Sequence, residues 1–285
     1  MTKRKYRMNT RRKLAIATWG SPNDPNIYGK LTVDAAPALA YLERIRSETG
    51  EKASITHLVG RAVALALAKT PTLNGRIVFG KYRPHDTVDI SFLVALEEGA
   101  DLAKAKIEHA DQKSTSEIAR ELRERAERLR RREDADFEKS KGLLRLLPTW
   151  ALRPLVWTIG WLTGALGINF KALGLERFPF GVCIVTSVGM FGLDEGFVPP
   201  TPFARVPVYV LVGAVRDRPA VVDGQIVVQP QLTITATIDH RFIDGYQGGM
   251  LARMMREVFA DPGRFDGEAR AIAAAAATDT PRALA

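Results

Sequence analysis

Cysteine, histidine and long hydrophobic runs are scarce in this sequence, and each shortage excludes a class of protein. Cys183 is the only cysteine among 285 residues, so the chain can form neither an internal disulfide nor a cysteine-based metal cluster. The four histidines lie far apart, without the spacing of a metal site. We therefore expect no metal, and a single cysteine fits a protein of the reducing cytoplasm.

No uncharged apolar stretch of the sequence is long enough to form a membrane-spanning helix. The longest uncharged apolar run, Leu155 to Phe170, has 16 residues, whereas a spanning helix needs about 20. The first residues are basic and are not followed by an apolar core, so we expect no secretory signal. Together with the cysteine content this predicts a cytoplasmic protein, with attachment to a membrane surface left open.

The formal net charge of +9 at pH 7 raises the question of a nucleic-acid partner. One basic cluster lies in the first 13 residues and a second at 120–132. In the second cluster arginine alternates with glutamate, which is typical of a solvated, ion-paired helix face. Residues 75–81 have the spacing of a phosphate loop, but Tyr82 stands where Ser or Thr must hold magnesium. We therefore expect neither a nucleic-acid partner nor nucleotide hydrolysis.

Hydrophobic periodicity predicts an α+β fold. Strict alternation of apolar residues predicts strands, helical spacing predicts helices, and Asp223-Gly224 between apolar runs predicts a hairpin turn. The predicted strands are 29–33, 88–96, 182–185, 206–215 and 232–238, and the predicted helices are 35–48, 54–69, 114–132 and 246–259. Because hairpin-linked strands follow mixed strands and helices, we expect a mixed sheet flanked by helices and not a doubly wound one.

One histidine stands where chemistry is expected. His240 lies between the strand at 232–238 and the last helix, a position that exposes a rigidly held side chain. An imidazole accepts a proton near neutral pH, as a thiol or hydroxyl nucleophile requires. Asp239, Arg241 and Asp244 supply groups that could orient the ring. The residues alone favour a purely structural histidine over a catalytic one.

The segment from Asp239 to Gly245 resembles the active-site signature of the dihydrolipoyl acyltransferases of 2-oxo acid dehydrogenase complexes. Chloramphenicol acetyltransferase shares its His-x-x-x-Asp-Gly part. Thr186-Ser187-Val188-Gly189-Met190-Phe191-Gly192 is similar to that family's Ser-Asn-Leu-Gly-Met-Phe-Gly turn. Further blocks resemble the family in the same order: 85–92, 111–119, and 213–219 with its hairpin. The resemblance spans about residues 10–136 and 180–262, and it implies a chloramphenicol-acetyltransferase-like fold.

The resemblance implies a CoA-dependent acyl transfer between CoA and a thiol of the dihydrolipoyl type. His240 would be the general base. Thr186 stands where the family usually has Ser and would donate a hydrogen bond to the tetrahedral oxyanion, with Ser187 as the second candidate. Asp244 would pair with an arginine, for which Arg12 is the candidate by position. The supporting residues would be Asp239, Arg241 and Gly245.

The family builds this site between the subunits of a homotrimer, and its trimers often assemble into larger cages. We therefore expect His240 of one subunit to face Thr186 of the next. The sequence contains no lipoyl-lysine motif. A lipoyl domain would then be supplied by another polypeptide, or the acceptor is a different molecule.

The sequence predicts three regions: a basic segment at 1–20, a catalytic domain at 21–264 and an alanine-rich tail at 265–285. The catalytic domain contains an apolar insertion at 137–180, which holds three of the four tryptophans. The insertion could be a helical element packed on its own or a neighbouring subunit, a membrane-surface element at 141–170, or a lid over the acyl pocket.

A rival interpretation of the whole chain is a catalytically inactive, acyltransferase-like assembly protein. The Thr186 substitution and the missing lipoyl motif favour it. The intact residues around His240 favour an active enzyme.

Overall fold

The computed structural model describes residues 25–96, 101–131, 149–170 and 174–267. The basic segment at 1–20, including Arg12, lies outside the described residues. So do the first part of the insertion and most of the alanine-rich tail. The predictions that fall on those segments stay predictions.

A six-stranded mixed sheet forms the centre of the molecule, as the sequence predicts. Its order is β1-β8-β7-β6-β4-β5; β6 runs parallel to β4 and to β7, and the other pairs are antiparallel. A separate hairpin, β2-β3, stands beside it. The strands are β1 Asn26–Asp34, β2 Gly75–Val78, β3 Lys81–Pro84, β4 Ile90–Leu96, β5 Asp101–Ile107, β6 Cys183–Ser187, β7 Val208–Val222 and β8 Gln225–Asp239.

Four α-helices of the described chain correspond to those predicted, and residues 262–267 form a further short helical segment. The four are α1 Ala36–Thr49, α2 Ile55–Lys69, α3 Thr115–Arg130 and α5 Gly245–Ala260, and α4 Thr149–Gly160 lies in the insertion. α2 is apolar almost all round and buried along most of its length, which is typical of a central helix. A Cβ atom on Gly60 would lie 2.3 Å from the Phe92 ring, so α2 packs directly on β4.

A buried ion pair closes the fold at its C-terminal end. The Arg61 side chain has 0% exposure, and its Nε atom lies 3.4 Å from Oδ1 of Asp266. The guanidinium also donates to the carbonyl oxygens of Asp111 at 2.6 Å and Phe265 at 2.9 Å. Because Phe265 and Asp266 are both buried, the packed fold continues two residues beyond position 264, where the sequence places the end of the catalytic domain.

The described part of the insertion is a helical element that packs on its own chain. α4 continues into one π-helical turn, Trp161–Ala165, and lies against the loop at 202–204. The contact at Gly160 is so close that a Cβ atom there would lie 2.1 Å from the carbonyl oxygen of Phe203. Among the described helices, none is both long and apolar enough to cross a membrane.

β7 and β8 form a long arm whose tip carries apolar residues into solvent. Each strand has 15 residues, and the turn at Asp223 and Gly224 has positive φ values of 49° and 78°. That geometry is the one the Asp-Gly pair favours. Val221 is 73% exposed and Ile226 is 80% exposed. We refer to residues 216–231 as the arm.

Candidate active site

His240 lies in a turn that the surrounding backbone holds on both sides. β8 ends at Asp239, whose N–H donates to the carbonyl oxygen of Pro207 at 2.9 Å. The His240 N–H donates to the carbonyl oxygen of Pro25 at 2.6 Å. His240 therefore follows directly after the end of β8. The two hydrogen bonds anchor this strand end to the segment before β7 and to the segment before β1.

A second hydrogen bond sets the proton position on the imidazole. Nδ1 of His240 lies 2.5 Å from the carbonyl oxygen of Ile243. A carbonyl oxygen only accepts, so Nδ1 carries the proton and donates it. In this tautomer Nε2 is the basic nitrogen of the ring, which is the form a general base needs.

Asp239 and Arg241 form an ion pair across the turn. The Nε atom of Arg241 lies 2.9 Å and 3.0 Å from the two carboxylate oxygens of Asp239, and Nη2 lies 2.5 Å from Oδ2. The Arg241 N–H also donates to Oδ1 at 2.9 Å. Both side chains are mostly buried. The pair therefore connects the residues on either side of His240, and its supporting role in the reaction stays a prediction.

Asp244 and Gly245 lie at the start of α5. Asp244 is the N-cap residue of α5, and its N–H donates to Oε1 of Gln247 at 3.1 Å. Arg12, the predicted partner of Asp244, lies outside the described residues, so that pairing stays a prediction. A Cβ atom on Gly245 would meet no described atom within 4 Å. Packing within one described chain therefore gives no steric reason for a glycine there.

Thr186 and Ser187 lie far from His240 within one chain. Thr186 pairs with Leu211 of β7, and Leu211 pairs with Thr235, five residues before His240. With a strand rise of about 3.3 Å and a strand spacing of about 4.8 Å, the two sites lie roughly 20 Å apart. The structure thus places each predicted catalytic residue at an end of the sheet and does not bring the base and the hydroxyls together in a single chain.

A cleft of about 240 Å³ opens beside the histidine turn. Asp239 and Arg241 line it, together with Arg76 of β2 and Arg205. Burial lowers the pKa of Arg205, and the positive charge of Arg241 lowers it further. The sequence analysis missed Arg76 and Arg205. Arg76 lies in the 75–81 segment, whose phosphate-loop spacing was set aside, and Arg205 belongs to no motif.

The fold is shared with solved structures of acyltransferases. The fold is similar to a probable dihydrolipoamide acetyltransferase from Listeria monocytogenes, with a TM-score of 0.63 at 22% identity over 91% of this chain and 95% of that one. It is similar to chloramphenicol acetyltransferase, with a TM-score of 0.52 at 14% identity over 88% and 96%. The chain thus has the chloramphenicol-acetyltransferase-like fold that the sequence predicts. Another similar structure is the cubic core of the pyruvate dehydrogenase multienzyme complex, with a TM-score of 0.62 at 18% identity over 90% and 88%.

The sequence comparison is more specific. The family model for the 2-oxoacid dehydrogenases acyltransferase (catalytic domain) matches residues 3–142 and 171–265. The chain therefore belongs to this acyltransferase family. Residues 143–170, inside the predicted insertion, are not matched by the family model.

Two curated relatives illustrate the range of the family. One is a probable dihydrolipoyllysine-residue succinyltransferase component of the mitochondrial 2-oxoglutarate dehydrogenase complex of Schizosaccharomyces pombe, 26% identical over 79% of this chain and 41% of the relative. The other is the dihydrolipoyllysine-residue acetyltransferase component of the pyruvate dehydrogenase complex of Zymomonas mobilis, 27% identical over 89% and 49%. The chain spans less than half the length of either relative.

Proposed function

We propose that this chain is a CoA-dependent acyltransferase that moves an acyl group between CoA and a thiol of the dihydrolipoyl type, with His240 as the general base. The observation that carries the proposal is the hydrogen bond from Nδ1 of His240 to the Ile243 carbonyl oxygen. It fixes the base on Nε2 in a turn whose sequence matches the family. The family match supplies the class of reaction.

The reaction follows from these groups. Nε2 of His240 takes the proton from the acceptor thiol, and the thiolate attacks the thioester carbonyl carbon. The carbonyl oxygen becomes an oxyanion, which the hydroxyl of Thr186 stabilises by donating a hydrogen bond; Ser187 is the second candidate. The tetrahedral intermediate then expels the other thiolate, which recovers the proton from His240. The ion pair of Asp239 and Arg241 keeps the turn in place during both proton transfers.

The site is completed between copies of the chain. Because Thr186 and His240 lie roughly 20 Å apart in one protomer, the oxyanion donor comes from a neighbouring copy in a homotrimer. Apolar surface supports this assembly: Met190 and Phe191, just beyond the Thr186 strand, are 72% and 55% exposed. The loop that follows them is tied to the arm through Asp194, which lies 2.9 Å from Nε of Arg216. Exposed apolar patches of this kind mark association surfaces.

Partners beyond the trimer follow from the family. A protein carrying a lipoyl domain is the proposed acceptor, and further assembly into a cage is supported by the similarity to a cubic core. The insertion gives a second candidate property, contact with a membrane surface through 141–170. The 36% exposure of Trp161 within it favours this. Liposome flotation of the intact chain and of a Trp161→Ala variant tests that contact, and equal partitioning would remove it.

The direct test is transfer from acetyl-CoA and longer acyl-CoAs to dihydrolipoamide, followed by chromatography as conversion of acyl-CoA to free CoA and S-acyl-dihydrolipoamide. We expect turnover with at least one acyl-CoA and its loss in His240→Ala. Light scattering should show a trimer or a multiple of it. If a correctly assembled particle shows no turnover with any acyl-CoA, the result would favour the inactive assembly protein instead.

A further inference from the structure

The cleft beside the histidine turn has an unbalanced charge. Three arginines line it, Arg76, Arg205 and Arg241, against one carboxylate, Asp239. Arg241 is ion-paired with that carboxylate. Within the described part of the chain, neither Arg76 nor Arg205 has a carboxylate in salt-bridge contact. Asp86 offsets part of the charge of Arg76 from a longer distance, so Arg205 is the less compensated of the two guanidinium groups.

Arg205 is held in a costly backbone conformation. Its φ is 55° and its ψ is 31°, the left-handed region, which is unfavourable for a residue with a Cβ atom. Strain of this kind persists where the surrounding structure fixes it, often at a ligand site. The insertion lies beside this residue: a Cβ atom added to Gly164 would lie 3.6 Å from both Cβ and Cδ of Arg205.

Arg76 is fixed by the same insertion. Its Nε atom donates to the carbonyl oxygen of Ala165 at 2.8 Å, and its guanidinium carbon lies 4.4 Å from the centre of the Phe178 ring. These contacts orient the planar group at the cleft wall and leave its two Nη atoms uncommitted to them. The segment that orients Arg76 lies largely within 143–170, which the family model does not match. The three arginines themselves lie in residues that the family model matches, so only the part of their surroundings at 143–170 is outside that match.

The size and position of the cleft limit its ligand. About 240 Å³ is below the usual range of roughly 300–1,000 Å³ for a drug-sized ligand, so only a small group fits. Pro25 and Pro207 line it, and their carbonyl oxygens accept from the N–H groups of His240 and Asp239. A group bound there lies next to the turn that carries the base.

We propose that this cleft is an oxyanion subsite in which Arg205 and Arg76 bind a carboxylate or phosphate group at one end of the acyl donor. Guanidinium groups recognise both anions through paired N–H donors. The group is either a carboxylate at the far end of a dicarboxylic acyl chain or a phosphate of CoA. The inference rests on the proposed acyl transfer for the identity of the donor, but the anion site itself can be tested without turnover.

The binding test uses succinate and inorganic phosphate as probes and succinamide as the neutral control, measured by calorimetry on the full chain. We expect the wild-type protein to bind at least one anion and not succinamide, and Arg205→Gln to weaken binding at least tenfold. Arg205→Lys keeps the charge without the planar pair of donors and should fall between the two. Arg120→Gln is the matched control, since Arg120 is exposed on α3, away from the cleft.

Kinetics then separate the two sources of the anion. If the cleft takes an acyl carboxylate, Arg205→Gln lowers kcat/KM for succinyl-CoA at least tenfold and leaves that for acetyl-CoA within about twofold. If it takes a phosphate, KM rises for both donors, and one of the dephosphorylated CoA derivatives is insensitive to the substitution.

The failures are distinguishable. Equal anion binding by the wild-type, Arg205→Gln and Arg120→Gln proteins overturns the subsite, and so does binding of succinamide as tightly as succinate by the wild-type protein. The succinamide comparison needs no variant and holds even if Arg205→Gln does not fold. Anion binding that depends on Arg205 without any turnover would leave the subsite standing and overturn the proposed acyl transfer.

Discussion

Nδ1 of His240 donates a hydrogen bond to the carbonyl oxygen of Ile243, 2.5 Å away in the same turn. The ring therefore has two separable tasks in the proposed reaction, since Nδ1 holds the turn and Nε2 is left to act as the base.

The separation predicts different outcomes for two substitutions. Asn at position 240 can donate from its amide to the Ile243 carbonyl oxygen but has no base in the place of Nε2. We expect His240→Asn to lose roughly 100- to 10,000-fold in kcat while keeping the thermal midpoint closer to wild type than His240→Ala. His109→Asn is the control, because His109 is exposed at φ 50°, a conformation that Asn tolerates. Full activity of His240→Asn would contradict the role of Nε2.

The distance between His240 and Thr186 predicts complementation between inactive chains. His240→Asn and the double variant Thr186→Val, Ser187→Ala should each be inactive or impaired alone, with the loss of an oxyanion donor worth roughly 100-fold. When the two are unfolded and refolded together, some sites combine an intact His240 with an intact hydroxyl turn, so activity should return. Mixed assemblies without recovered turnover would argue that each site is built within one chain.

Glu176 predicts a local contribution to stability. Its carboxylate oxygens lie 2.6 Å from Nζ of Lys104 and 3.1 Å from Nζ of Lys106, whose side chain is 8% exposed. Burial by itself raises the pKa of Glu176, but the two lysines outweigh burial and lower it. Because the Glu176 side chain is 44% exposed and solvent screens the pairs, Glu176→Gln should lower the free energy of unfolding in urea by about 1 kcal/mol. Glu108→Gln, which alters the exposed partner of Lys106, should cost clearly less.

His85 predicts a loss of stability in mild acid. Burial lowers its pKa from 6.5 to about 4, and the charge of Arg76 adds to that effect while Asp86 opposes it. Between pH 6.5 and 4 the unfolded chain binds a proton that the folded chain does not, so stability falls as the pH falls through this window. The contribution of His85 is at most about 3 kcal/mol. His85→Gln should flatten the urea-derived stability profile between these pH values, and an unchanged slope would contradict the assignment.

Two glycines of the insertion predict opposite outcomes for the same substitution. Ala at position 160 would place its Cβ atom 2.1 Å from the Phe203 carbonyl oxygen, whereas at position 164 the nearest atoms lie 3.6 Å away. Gly160→Ala should therefore displace the insertion at a cost of about 1–3 kcal/mol, and Gly164→Ala should be near neutral. Tryptophan fluorescence reports the displacement, since three of the four tryptophans lie in the insertion. Equal spectra for the two variants would contradict the described packing.

The local features of the fold could be predicted because their causes are local. The Asp223-Gly224 turn follows from two residues that tolerate positive φ. The alternation of threonine with apolar residues predicts β8 and thereby the position of His240 at its end. The structure extends these elements by a few residues and leaves their type unchanged.

Strand β5 was missed because its support is not local. Asp101–Ile107 contains Lys104 and Lys106, which argue against a buried strand. Lys106 is nevertheless buried, since Glu176 arrives from a segment 70 residues further along the chain. The arginine cleft escaped prediction for the same reason. Arg76 and Arg205 lie 129 positions apart in the sequence, and the insertion brings them to one wall.

The arm of β7 and β8 carries apolar area that the core does not use. Val221, Ile226 and Val228 are all more than 70% exposed, so truncating the hairpin removes little of the packing that holds one protomer together. A shortened chain should unfold at nearly the same denaturant concentration when dilute, yet lose the rise in melting temperature with protein concentration that an associating protein shows. The arm thus lets the folding of one subunit and the joining of several be measured as separate quantities.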